Sequence, residues 1–143
     1  MINNLLLVDD ESLFHLVFED ACSLLDITLS LQSVSSTDEA ERLFRDWAID
    51  PSNRPECVFV DLNIVGSTVD GIELIRRINT IHGNSVVIGI ISSSADKEEI
   101  GKANLVGAMF WIVKSDDIEP RLELFKADYN GYRNGTKEFT VYK

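Results

Sequence analysis

Four short apolar runs in this chain stop on residues able to do chemistry. Asn4-Leu5-Leu6-Leu7-Val8 ends in Asp9, Asp10 and Glu11, and Cys57-Val58-Phe59-Val60 ends in Asp61. Val86 to Ile91 ends in Ser92, Ser93 and Ser94, and Met109-Phe110-Trp111-Ile112-Val113 ends in Lys114. Three carboxylates brought within several ångströms repel by roughly 3–4 kcal/mol per close pair at an effective dielectric near 20. Either one carboxyl keeps a proton or a divalent cation neutralises the group. A hard cation held by carboxylates, a backbone carbonyl and waters is the pattern of Mg²⁺. Lysine adds a point charge suited to phosphate, and serine a neutral hydrogen-bond donor. The plainer alternatives are that Asp61 caps a turn and that Asp9, Asp10 and Glu11 cap a helix. They weaken if all four runs deliver their ends to one place.

The elements around those runs say that they do. Continuous apolar runs of this length read as strands buried on both faces. Between them the period changes. Phe14, Val17, Phe18, Ala21 and Leu25 recur at steps of three and four, the stripe of an amphipathic helix. Ile27, Leu29 and Leu31 alternate with polar residues, as on an edge strand. Ser36-Thr37-Asp38 opens a helix through Ala40, Leu43, Phe44 and Trp47, and Asp70 caps one carrying Ile72, Leu74, Ile75 and Ile78. Asp96 to Leu105 is a short helix ended by Gly107, and Asp116 or Asp117 caps the last one, with Pro120 in its first turn. Strand then helix, five times, is the order of an α/β parallel sheet with helices on both faces and right-handed crossovers. In such sheets the carboxyl ends of all strands share one edge.

At 143 residues the chain is one domain's worth. Hydrophobic residues at 45% and charged residues at 26% place it among ordinary soluble globular proteins. The net charge of −11 argues against a direct nucleic-acid partner, which would need basic residues to neutralise phosphates. No apolar run approaches the eighteen or so residues of a membrane span, and the opening Met1-Ile2-Asn3-Asn4 lacks a signal-peptide pattern, so a cytoplasmic protein is the default. Cys22 and Cys57 lie in apolar patterns and read as buried free thiols. His15, His82 and Trp47 read as helix-flank or packing residues.

In combination these motifs resemble a response regulator receiver domain, of the stand-alone chemotaxis-regulator type. The resemblance rests on Leu7-Val8-Asp9-Asp10-Glu11, on Val60-Asp61-Leu62-Asn63 with Asp70-Gly71 downstream, and on Ser92 and Lys114 after their strands. It runs from about Leu5 to Tyr129. It implies a doubly wound, five-stranded, flavodoxin-like three-layer sandwich with strand order 2-1-3-4-5. Residues 1–130 would be the receiver and 131–143 a C-terminal tail or linker start, since Gly131 and Asn134-Gly135 interrupt the last helix. Lys137 to Lys143 reads as a short strand or a loose tail.

The resemblance also assigns roles. Asp61 would accept a phosphoryl group from a phosphohistidine on a sensor histidine kinase or phosphotransfer protein. Asp10 would coordinate Mg²⁺ directly, Asp9 mainly through water, with Asp61 and the backbone carbonyl of Asn63 completing the ligands. Lys114 would pair with Asp61 and then with a phosphoryl oxygen, and Ser92 would bind another. Trp111 stands where a switch aromatic turns inward when the hydroxyl is drawn to the phosphoryl group, altering a face for a downstream protein target that spans about Asp96 to Tyr129. Such a protein is not an enzyme in the usual sense, although it catalyses its own phosphorylation and dephosphorylation.

The chain departs from the family pattern in three places. The loop from Asp61 to Asp70-Gly71 is about two residues longer, with Val65 where proline is usual. Ser115 follows Lys114 where proline is usual, so that bond is expected either trans with a shifted loop or cis under strain. The tail has no counterpart in the minimal domain. These departures motivate an alternative, a receiver-like scaffold that binds partners without phosphorylation. A phosphohydrolase with an aspartyl nucleophile is a weaker third reading, because such enzymes carry an acid two residues after the nucleophile and this chain has Asn63 there.

Overall fold

The computed structural model describes residues 1–143. Strand β1 (Ile2–Val8) leads into α1 (Ser12–Leu24), β2 (Thr28–Val34) into α2 (Thr37–Ile49), and β3 (Cys57–Asp61) into α3 (Gly71–His82). Then β4 (Val87–Ser92) leads into α4 (Lys97–Leu105) and β5 (Phe110–Val113) into α5 (Glu119–Asn134), after which comes β6 (Thr140–Tyr142). The strands lie in the order β2-β1-β3-β4-β5-β6, and every pairing is parallel. This is the flavodoxin-like three-layer sandwich, with six strands rather than five.

Successive residues of a strand point to opposite faces, and that alternation divides the core in two. Leu5, Leu7, Cys57, Phe59, Phe110 and Ile112 pack beneath α1 and α5 with Phe14, Phe18, Leu122 and Phe125. Leu6, Val8, Val58, Val60, Ile88, Ile90 and Trp111 pack against α2, α3 and α4 with Ala40, Phe44, Leu74, Ile75 and Ala103. Extending the count by one or two residues places Asp9, Asp61 and Lys114 on the α1 side of the edge. Trp111 falls on the α4 side. Edge-to-face rings form a spine under the site, Phe18 to Phe59 at 5.1 Å and Phe59 to Phe125 at 5.0 Å between centroids.

Three helix starts match their sequence signals. The Glu39, Glu73 and Glu99 amides donate to the side chains of Ser36, Asp70 and Asp96 at 3.1, 2.9 and 3.0 Å. The last helix differs. Neither Asp116 nor Asp117 caps it; Ile118 occupies that position with no side-chain cap, and a proline in the first turn, which needs no amide partner, helps to start the helix.

The helix α5 also runs through Gly131 to Asn134, because Tyr129 and Tyr132 gain buried places and Gly135 ends it at φ +78°. Gly131 is there for close approach. A Cβ on it would lie 2.8 Å from Lys137 Cβ, and its carbonyl accepts from the Thr136 and Lys137 amides at 2.9 and 3.0 Å. That turn sends the chain back along β5, pairing Trp111 with Val141 and Ile112 with Tyr142. Tyr142 donates to Asp128 at 2.6 Å and shares a 2.7 Å hydrogen bond with the Tyr132 hydroxyl, which ties β6 to α5. No helix is long and apolar enough to cross a membrane.

Gly71 decides how close α3 comes to the end of β3. Its amide donates to the Leu62 carbonyl at 2.9 Å, and a Cβ added to it would lie 2.3 Å from the Asp61 carbonyl oxygen. Gly71→Ala must therefore push α3 from β3 at the residue that carries the site. Overpacking of this kind costs roughly 1–3 kcal/mol. Thermal unfolding should show a midpoint several degrees lower; an unchanged midpoint would mean that this close approach is not required.

Candidate functional site

Parallel register brings the functional residues to one edge of the sheet. Val8 pairs with Val60, Asp61 with Ile91, and Ser92 with Val113. Asp9 therefore continues β1 level with Asp61, Ser92 lies one step further along β4, and Lys114 follows one step beyond Ser92 at the end of β5. The Lys114 amide continues the ladder, donating to the Ser92 carbonyl at 2.7 Å. Asp9, Asp61 and Ser92 are buried polar residues in a core otherwise almost wholly apolar.

The Lys114 ammonium is the centre of the arrangement. It donates to Asp9 Oδ2 at 2.7 Å and Glu11 Oε1 at 2.6 Å, and lies 3.7 Å from Asp61 Oδ2. It also sits 4.3 Å from the centroid of the Phe14 ring, a cation–π contact. Burial works against the charged amine, but the hydrogen bonds to Asp9 and Glu11 raise its pKa above the usual lysine value. Asp9 is used twice, since its Oδ1 accepts from the Glu11 amide at 2.8 Å. The His15 ring nitrogen donates to the Asp9 carbonyl at 2.5 Å, so this histidine braces the turn beside the site.

Asp61 is the group whose charge is least well compensated. Burial, then the neighbouring Asp9, pushes its carboxyl up to about 7, with Asp10 and Glu11 adding to the effect and Lys114 opposing it. The carboxylate oxygens of Asp9, Glu11 and Asp61 lie within 4.8 Å of one another, against one ammonium. An all-oxygen donor set with one uncompensated acid fits a hard divalent cation such as Mg²⁺.

The structure places the remaining sequence candidates as follows. The Asp10 carboxylate is turned to the loop after β3, its Oδ2 accepting from the Val65 amide at 3.1 Å, so Asp9 rather than Asp10 faces Asp61 here. The Asn63 carbonyl takes part in no backbone hydrogen bond. Ser92 Oγ accepts from the Ser94 amide at 3.2 Å. Trp111 is buried and inward, its indole N–H donating to the Ser94 carbonyl at 2.9 Å.

The lengthened loop has a defined path. Thr37 donates through its hydroxyl to the Val69 carbonyl and through its amide to Ser67 Oγ, at 2.9 and 3.0 Å, and Thr68 donates to Asp38 at 3.1 Å. The Lys114–Ser115 bond is trans, and Arg121 holds that loop by donating to Ser115 Oγ at 2.7 Å. Glu11 is the site residue that sequence reasoning did not single out. Its signal was an acid at a helix start whose backbone is already held by Asp9, which frees its own side chain for other work.

A response regulator receiver domain family model matches residues 5–124. No curated protein matches. Among solved structures, NtrX from Brucella abortus is similar at 25% identity and TM-score 0.75, over 96% of this chain but 28% of its own. The phosphorylated cyanobacterial phytochrome response regulator RcpA is similar at 16% identity and TM-score 0.72, covering 92% of this chain and 94% of its own. The chemotaxis protein CheY4 of Vibrio cholerae is similar at 18% identity and TM-score 0.71, covering 89% and 98%.

The Asp61 environment has a consequence for stability. Between about pH 4, where an unfolded aspartate ionises, and about pH 7, the folded carboxyl keeps a proton that the unfolded chain has lost. The contribution of Asp61 to stability therefore falls as pH rises through that window. Asp61→Asn should melt higher than wild type at pH 8, by about 5 °C for a chain of this size, with the gap closing towards pH 5. Millimolar Mg²⁺ should narrow the gap at pH 8 by raising wild type alone. An equal gap at both pH values would contradict the account.

Proposed function

The chain belongs to the response regulator receiver domain family of two-component signalling, and from that membership we propose that Asp61 is its phosphoacceptor. The observation that carries the reading is the placement of a buried strand-end carboxylate 3.7 Å from a lysine ammonium, at the edge that also holds Asp9 and Ser92.

Phosphoryl transfer asks little of a protein beyond positioning and neutralisation of the phosphoryl oxygens. An Asp61 carboxylate oxygen attacks the phosphorus of a phosphohistidine on a sensor kinase or phosphotransfer protein. The P–N bond breaks, its electron pair returns to the ring nitrogen, and an aspartyl phosphate forms. Lys114 moves from its carboxylate partners to a phosphoryl oxygen, and the Ser92 hydroxyl donates to another. When Mg²⁺ is bound by Asp9 and Asp61, with Asp10 and the Asn63 carbonyl, it supplies further neutralisation of those oxygens. Resetting is hydrolysis: water attacks the phosphorus, and the P–O electron pair returns to the carboxylate with release of phosphate. The exposed Leu13 and Leu16 on α1 give a phosphodonor protein apolar surface beside the site.

The route outwards runs on the other side of the sheet. Ser92 bonds the Ser94 amide, the Ser94 carbonyl holds the Trp111 indole, and Trp111 pairs with Val141 of β6. Drawing Ser92 to a phosphoryl oxygen changes the first of these contacts and biases the rest. The partner-binding face then comprises α4, α5 and β6, because β6 lies outermost beside β5.

The test uses beryllofluoride as a phosphoryl mimic with Mg²⁺, followed by tryptophan fluorescence. Wild type should respond only when Mg²⁺ is present, Asp61→Asn should not respond, and Lys114→Ala should need at least tenfold more reagent, as expected for loss of a charge-assisted hydrogen bond. No response from wild type at millimolar reagent would sink the proposal.

A further inference from the structure

Glu11 occupies the place where a helix usually puts a short capping side chain, yet it makes no cap. Its amide is held by Asp9 Oδ1 at 2.8 Å, which fixes the backbone, and its side chain crosses to Lys114 at 2.6 Å. An ammonium has three N–H donors. Asp9 and Glu11 take two, and the Asp61 oxygen at 3.7 Å lies beyond ordinary hydrogen-bond range.

The two partners are not equivalent. The Asp9 side chain is fully buried and doubly bonded, whereas the Glu11 side chain is 62% exposed. Beside the ammonium lies an open cavity of about 270 Å³, lined by Glu11, Phe14, Ser93, Lys114 and Ser115 among others. Glu11 thus stands on the solvent side of Lys114, where a phosphoryl oxygen arriving at Asp61 must come.

We propose that Glu11 is a positioning residue that holds Lys114 in place of the phosphoryl oxygen and must release it before Asp61 is loaded. This rests on the reading of Asp61 as phosphoacceptor. Glu11 orders the ammonium in the resting protein and adds one negative charge at the entrance. An anionic phosphodonor has to displace that carboxylate, while a protein phosphodonor has its own contacts on α1 to offset the exchange. Glu11 therefore selects against small anionic donors.

The test measures loading of Asp61 by acetyl phosphate at saturating Mg²⁺, over a range of donor and salt concentrations. In Glu11→Gln the half-saturating donor concentration should fall about two- to fivefold, the range for one exposed charge pair. The maximal rate should change less, and the acceleration that salt gives wild type should flatten, since the screened repulsion is gone. A residue that only supported the fold would not remove the salt dependence. In the metal-free protein, the protected ammonium resonance of Lys114 in ¹⁵N NMR should broaden in Glu11→Ala. Wild type loaded normally with Glu11→Gln unchanged in half-saturation and salt response overturns this assignment alone, as does an unaltered Lys114 resonance. Failure of wild type to load at any donor concentration overturns the Asp61 reading and the inference with it.

Discussion

One ammonium facing several carboxylates is the constraint around which this edge of the sheet is built. Lys114 neutralises Asp9 and Glu11 directly and only partly offsets the burial and the neighbouring Asp9 that push the Asp61 carboxyl up to about 7. A folded protein keeps such an arrangement only where the rest of the structure over-determines it. Here that support is extensive: a six-stranded parallel sheet brings the carboxyl ends of β1, β3, β4 and β5 to one edge, and an aromatic spine from Phe14 to Phe125 lies beneath. The uncompensated charge is also what would draw a hard cation to the site under the proposed function, and that cation with Lys114 would neutralise an incoming phosphoryl group.

Most of this was legible because it follows from short-range rules. Apolar runs ending in Asp61, Ser92 and Lys114 identify strands and their chemistry together, and alternation along each strand assigns the face. What escaped depends on contacts distant in sequence. Glu11 reads as one acid in a helix start; only the fold brings it to Lys114, 103 positions away. Gly131 reads as a helix breaker, yet the helix passes through it because two tyrosines gain burial and the returning chain needs the space of a missing Cβ. The segment Lys137 to Lys143 reads equally as a short strand or a loose tail, and Thr140–Tyr142 becomes a strand because β5 offers an unpaired edge, a contact its own pattern does not specify. Asp116 and Asp117 were plausible caps by type, but the loop is instead organised by Arg121 on Ser115.

The sixth strand changes how a signal would leave the site. Trp111 is enclosed by the sheet on one side and held through its indole by Ser94, and its neighbour in the sheet is Val141 of β6. The Tyr132–Tyr142–Asp128 hydrogen bonds anchor β6 to α5. Under the proposed function, a displacement at Ser92 would therefore pass to packed elements with few alternative arrangements, the condition under which small shifts become discrete switching.

The central claim is chemical, and its most direct measurement is chemical as well. After incubation with acetyl phosphate and Mg²⁺, borohydride reduces an acyl phosphate to the alcohol and marks its position for peptide mapping. The account predicts a single Mg²⁺-dependent mark, on the peptide carrying Asp61 and at that residue. A mark at another residue, or none while the folded protein still binds Mg²⁺, would contradict it.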